Sequence, residues 1–283
     1  MGRQRMVNVS IPSMGAGDFA AGRGMNMSSI DDGLNEGLSA KEKQRYHRQL
    51  IMSEIGEAGQ LMLKAGKVLV VGTGGLGSPV LYYLTAAGIG TIGFTDYDSV
   101  DLSNLQRQVL HRTPDLGKPK AVSAFEKLSA LNPEIRLVPA GERVDRENAG
   151  HLISGYDVVV DCTDNFPARY ILNEACIKSG KPFVHGGILG FFGQAMTIVP
   201  GKGPCFQCVF REPPPPEAMP HPPGVLGAVA GTIGTIQAAE VIKLLTGRGR
   251  LLTGRLLMYD ALEASFREVE VKPDSDCPVC GKN

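Results

Sequence analysis

The sequence has no excess of either charge: Lys plus Arg and Asp plus Glu both number 29 in 283 residues. A balanced chain has no global field to draw it to nucleic acid or to a membrane surface, so any basic site must be built locally. Long apolar runs are lacking too. The longest, Val225 to Ile236, is too short to cross a bilayer and continues into Gln237, Glu240 and Lys243 at helical spacing. No secretory signal is recognisable, and four of the six cysteines fall in two Cys-x-x-Cys pairs. That usage favours metal over disulfides and a cytoplasmic protein. The histidines, His47, His111, His151, His185 and His221, are scattered, form no triad with the remaining cysteines, and are read as structural.

The chain contains enough apolar residues, 43% of the total, for one large α/β domain or two modest ones. Residues 1–38 have no periodicity and read as a disordered extension. Arg3, Arg5 and Arg23 hint at an organelle presequence, while Asp18, Asp31 and Asp32 count against one. A single unit is expected over 39–283, with its nucleotide-binding core at about 66–187 and a crossover segment with C-terminal strands in 188–283.

The organising stretch is Lys67 to Ser78. Val68 to Val71 reads as a strand buried on both faces, ending in Gly72, Gly74, Gly75 and Gly77 before a helix. Glycine permits the tight turn and the close approach of a phosphate, which the amides and dipole of the new helix attract. A second strand, Gly88 to Asp96, ends in acid, with Asp96 and Asp98 at about the distance where this architecture places a carboxylate on ribose hydroxyls. Strands at Ile135 to Val138 and Val158 to Val160 alternate with helices from Lys120 and Ala168. The fold class is therefore α/β: a doubly wound, mostly parallel Rossmann-like sheet, extended by antiparallel C-terminal strands. Ser39 is expected to cap a first helix, and a second, Glu54 to Ala65, precedes the glycine turn.

Gly224, Gly227, Gly231 and Gly234 recur at helical spacing, so a helix to Leu245 approaches another backbone closely, within the subunit or between subunits. The proline-rich Glu212 to Pro223 reads as a crossing segment or flap.

Cys205, Cys208, Cys277 and Cys280 offer four thiolates, each pair spaced to present both sulfurs to one tetrahedral ion. Structural zinc is the favoured reading; a redox pair or free thiols are the alternatives. At the glycine turn, Arg107 and Lys120 supply cations, and Asp164 at a strand end can hold Mg²⁺. A dinucleotide pyrophosphate needs little beyond backbone and dipole, whereas a triphosphate that loses pyrophosphate needs such charges. Mg·ATP is favoured, and an NAD(P)-dependent oxidoreductase is the competing class.

Arg45-Tyr-His-Arg-Gln49, Gly72-Thr-Gly-Gly-Leu-Gly77, Asp101 to Gln108, Gly117-Lys-Pro-Lys120, Asp161 to Asn165 and the two Cys-x-x-Cys pairs, in that order, resemble the MoeB/ThiF/HesA family of ubiquitin-activating-like adenylyltransferases. The resemblance runs from Ser39 to the C-terminus. It implies ATP-dependent adenylylation of the C-terminal Gly-Gly carboxylate of a small ubiquitin-like sulfur carrier. Asp96 would bind ribose; Asn104, Arg107 and Lys120 would contact phosphates; and Asp164 would hold Mg²⁺. Arg48 would reach the partner's site in a homodimer. Some members carry a cysteine in the crossover segment, where this chain has Met219 to Gly224 with Pro220 near the expected position. Adenylylation without covalent capture is therefore expected, as in the molybdopterin-synthase type, with the thiamine-pathway carrier as the next candidate. Cys162 and Cys176 read as buried small hydrophobes. The second Cys-x-x-Cys lies at the end of the chain with no rhodanese-like domain after it, so a separate sulfur donor is expected.

Overall fold

In the computed structural model residues 37–215 and 224–281 are described. The N-terminal extension up to residue 36, Pro220 and His221 lie outside the described residues. Leu38, assigned above to the extension, is already buried.

Five parallel strands form the core: β1 (Lys67–Val71), β2 (Thr91–Thr95), β3 (Arg136–Ala140), β4 (Val158–Asp161) and β5 (Phe183–Leu189). Three antiparallel strands extend them, β6 (Phe192–Ile198), β7 (Arg255–Asp260) and β8 (Ser265–Glu270), giving the order β3-β2-β1-β4-β5-β6-β7-β8. The order reverses between β1 and β4, so the carboxyl ends of these two strands splay into the crevice where such sheets bind ligands.

The helices are α1 (Ala40–Arg45), α2 (His47–Leu50), α3 (Gly56–Ala65), α4 (Gly77–Ala87), α5 (Lys120–Leu131), α6 (Ala149–Ser154), α7 (Phe166–Lys178), α8 (Phe206–Val209) and α9 (Gly227–Thr246). Alternate residues of β1 feed two cores. Val68 and Val70 join Leu81, Leu84, Ile92, Leu128 and Ile233 on one face, while Leu69 and Val71 join Ile153, Leu172, Phe183 and Phe206 on the other. Burial of both faces explains the unbroken run of branched residues.

Ser39 caps α1 as expected, accepting from Glu42 N while the Glu42 carboxylate accepts from Ser39 N. The second strand is shorter than its sequence suggested because Gly88 is the left-handed cap of α4, with φ +83°. α6 and α8 were not anticipated; both are short and carry too few residues for a periodic signal.

α9 has the length and apolarity to cross a bilayer, contrary to the estimate from Val225 to Ile236 alone. It is instead a core helix packed on α4, β5 and β6, and its Glu240 is buried, accepting from Thr197 Oγ1 and from Leu252 N at 2.8 Å. Its glycines resolve the question of packing. A Cβ on Gly234 would lie 2.7 Å from Leu76 O, and one on Gly227 2.5 Å from Gln106 O, both within the subunit. Gly224 precedes the helix, where its carbonyl accepts from Gly190 N at 2.7 Å, and a Cβ on Gly231 meets nothing within 4 Å.

Gly234→Ala is expected to cost about 1–3 kcal/mol through overpacking, and Gly231→Ala to stabilise by about 0.5–1 kcal/mol through helix propensity. Chemical denaturation of both variants tests this; equal effects would contradict the packing.

Candidate active site

The glycine turn joins β1 to α4 through contacts that exclude side chains. Gly72 has φ +96°, and a Cβ there would lie 2.6 Å from Cys162 O. A Cβ on Gly77 would lie 2.0 Å from Gly72 O. Gly77 therefore packs the helix onto the turn and does not line the adjoining cavity, whereas Gly72, Gly74 and Gly75 do. No side chain caps α4; Ser78 N already donates to Gly74 O at 2.9 Å and Pro79 has no amide, so the N–H groups open to an anion are those of the glycine turn before it.

A cavity of about 670 Å³ opens over this turn at the carboxyl ends of β1, β2 and β4. Asp96, Arg107, Lys120 and Asp164 line it, as the sequence suggested; Asn104 sits in the same loop as Arg107 without lining it. Asp96 Oδ2 accepts from Thr73 N at 2.8 Å and Thr73 Oγ1 at 2.9 Å, which holds the acid beside the turn. Lys120 is only 5% exposed, and its ammonium pairs with Asp98 at 2.9 Å. Arg107 donates to Ser103 O at 3.1 Å.

Beneath Asp164 lies a buried support. Asp161 Oδ2 accepts from His185 Nδ1 at 2.7 Å, Asp161 Oδ1 accepts from Thr163 N at 3.0 Å, and Arg169 donates to Thr163 O at 3.0 Å. Burial acts to raise the Asp161 carboxyl, but its hydrogen bond from His185, the charges around it and Thr163 outweigh that, and it ends below its ordinary value. His185 is held below its ordinary value by burial. The pair is thus carboxylate and neutral imidazole.

His111 is a second buried imidazole, with Nδ1 2.9 Å from Ser123 Oγ and Nε2 3.1 Å from Thr73 O. It ties the glycine turn to α5, whose first residue is Lys120. Burial lowers its pKa as well. Both histidines were read as structural, and both brace the site without lining the cavity. Arg143, Arg169 and Gln108 line the cavity and were not singled out from sequence. Only the position of Arg169 early in the helix after Asp161 could have drawn attention to it. Cys162 also lines the cavity, but burial raises its thiol, and Cys176 is pushed up to about 12, so neither is a ready nucleophile.

Arg48 is exposed on α2 and does not line this cavity. Its neighbours explain why. Tyr46 is buried and accepts from Asn132 Nδ2 at 2.9 Å, and Gln49 donates to Ala87 O at 3.1 Å. These inward anchors leave Arg48 on the outside.

Cys205, Cys208, Cys277 and Cys280 converge, with all four sulfurs within 4.8 Å of one another. Sγ separations of 3.5, 3.3 and 3.9 Å match the edge of about 3.8 Å implied by tetrahedral metal–sulfur bonds of about 2.3 Å. Asn173 Nδ2 lies 3.6 Å from Cys205 Sγ and Asp274 N 3.4 Å from Cys208 Sγ, both donors suited to thiolates. The cluster can hold a metal and lies outside the cavity.

Fold and cavity define a nucleotide-binding protein of the doubly wound class, with cations on its phosphate side and no ionisable nucleophile at hand. Residues 46–279 match the ThiF family, to which the chain belongs. It is 48% identical over 248 residues to a sulfur carrier protein adenylyltransferase of Thermus thermophilus, covering 85% of this chain and 92% of that one. The SAMP-activating enzyme E1 of Haloferax volcanii is 49% identical over 247 residues, covering 87% and 91%. The adenylyltransferase and sulfurtransferase MOCS3 of Bos taurus is 46% identical over 248 residues, and this chain spans only 54% of it. Among solved structures, Escherichia coli MccB with MccA superposes with a TM-score of 0.75 at 26% identity, covering 84% of this chain and 74% of that one. The activity class is adenylyl transfer, which sets aside the oxidoreductase alternative.

Both buried histidines have an ordinary value of 6.5 and lie below it in the folded chain. The unfolded chain takes up protons first, so stability is complete above that value and is lost as pH falls toward the depressed ones. Melting temperature is expected to drop from pH 8 to 5, less steeply in His111→Gln; an unchanged slope in that variant would contradict the assignment.

Proposed function

We propose that the protein uses Mg·ATP to adenylylate the C-terminal Gly-Gly carboxylate of a ubiquitin-like sulfur carrier, with the molybdopterin-pathway carrier as first candidate and the thiamine-pathway carrier next. The observation that carries this is the meeting of Arg107, Lys120 and Asp164 with the glycine turn in one cavity. The names of the relatives support the same carrier class.

A C-terminal carboxylate is ionised at neutral pH and needs no general base. One of its oxygens attacks the α-phosphorus, the bond to the bridging oxygen of pyrophosphate breaks, and the pair leaves with pyrophosphate. Catalysis then reduces to alignment and to neutralising the leaving group. Lys120 and Arg107 provide that charge, Asp96 holds ribose, and Asp164 would hold the Mg²⁺ that shields the phosphates. Asn104 supports the loop that carries Arg107 from outside the cavity, and Gly77 contributes through packing. Zinc on Cys205, Cys208, Cys277 and Cys280 would tie the C-terminal tail to α8 and take no part in chemistry. Release of acyl-adenylate to a separate sulfur donor completes the reaction in a cytoplasmic setting.

Arg48, held outward by Tyr46 and Gln49, acts on the partner's site of a homodimer. The exposed Tyr83 and Val122, on α4 and α5, and Ile51, next to α2, supply apolar surface for the contact.

Carrier-dependent ATP–pyrophosphate exchange tests the reaction, and Lys120→Ala and Asp164→Ala are each expected to lower it by at least about a hundredfold with the fold intact. Wild-type exchange in both variants would refute the assignment. Arg48→Ala and Lys120→Ala, inactive alone, are expected to regain roughly a quarter of wild-type activity when co-refolded at equal amounts, because mixed dimers rebuild one site. No recovery would contradict action across the dimer.

A further inference from the structure

Gln108 is a polar side chain that the fold buries without a partner. It is 5% exposed and lines the cavity, yet its Oε1 is fully enclosed and its carboxamide makes no hydrogen bond among the described residues. Its place is specific: a Cβ built on Gly74 would lie 3.4 Å from Gln108 Nε2 and 3.6 Å from its carboxamide carbon. The amide thus lies against the middle of the glycine turn.

Only Oε1 is enclosed; Nε2, the donor end, has no partner and is the end left to a ligand in the cavity. Three of the polar groups around the glycine turn are paired, whereas Arg169 farther along the cavity also leaves its Nε without a hydrogen-bond partner. Asp96 is bonded to Thr73, Lys120 to Asp98, and His111 to both Thr73 and Ser123. The helix dipole at the uncapped start of α4 and the cations Arg107 and Lys120 make the volume over Gly74 attractive to an anion. A carboxamide N–H is a neutral donor, so it fixes the position of a phosphate oxygen without adding to the charge that restrains pyrophosphate from leaving.

We propose that Gln108 is a nucleotide-contacting residue, donating from Nε2 to a phosphate oxygen of ATP seated over Gly74. This rests on the Mg·ATP reading of the cavity. Nε2 makes no hydrogen bond among the described residues, so its bond is made only when the polyphosphate arrives.

The test compares wild type with Gln108→Met, close in shape and without the amide, and Gln108→Glu, which presents a carboxylate. Mg·ATP and adenosine binding are measured by calorimetry, and melting temperature without ligand. Gln108→Met is expected to lose about tenfold in ATP affinity, equivalent to one hydrogen bond. It should keep wild-type adenosine affinity and melt at the same temperature or higher. Gln108→Glu is expected to lose more, because like charges meet. Wild-type ATP affinity in Gln108→Met, or equal losses for ATP and adenosine, would overturn the proposal. Should Gln108→Met fail to fold, wild-type ATP affinity in Gln108→Glu would overturn it as well. Absence of ATP binding by the wild-type protein would instead remove the Mg·ATP reading, and this contact with it.

Discussion

The structure depends on a gap too narrow for a methyl group. The carbonyl of Gly72 occupies the place that a Cβ on residue 77 would need, and Gly72 presses in turn on the carbonyl of Cys162. Through these contacts β1, α4 and the end of β4 meet at the point where strand order reverses. Wider spacing would separate the turn, which presents free amides, from the loop after β4, which presents Asp164. The cavity exists because the backbone there carries so little.

Around that point the chain arranges charge by support from behind. Lys120 opens α5 and is buried beside Asp98, while His111 ties the same helix to Thr73 in the glycine turn. Asp161, buried and ionised against His185, holds Thr163 immediately before Asp164. His185 packs edge-on against Phe206, between Cys205 and Cys208, with ring centroids 4.7 Å apart. The cysteine cluster and the carboxylate loop are therefore joined by two contacts through one core. Such support from behind fixes the positions of the charged groups before any ligand arrives.

The parts legible in sequence were those with a local physical cause. Branched apolar runs marked β1 and β4, glycines marked the turn, and Cys-x-x-Cys spacing marked the cluster. Asp96, Arg107, Lys120 and Asp164 were found because strand ends and the loops beside them carry ligands in this architecture. His111 and His185 resisted functional reading because their partners, Thr73 and Asp161, lie 38 and 24 residues away. Gln108 was passed over beside Arg107 because an amide looks like any loop residue until its lack of a partner is seen. The glycines of α9 announced close packing but not its targets; Gly234 packs on the start of α4, over 150 residues earlier in the chain, and Gly227 on the loop at Gln106.

The sequence by itself determined the doubly wound class, the place of the glycine turn and the convergence of the four thiols, since each follows from periodicity, steric tolerance or ligand spacing. Tertiary structure alone decided which face of α9 is buried and that Arg48 stands outside its own cavity. It also decided that the histidines brace the site and that one amide is left unpaired above Gly74. Those outcomes arise from contacts between residues far apart in the chain, where burial and hydrogen-bond partners are set by the packed fold.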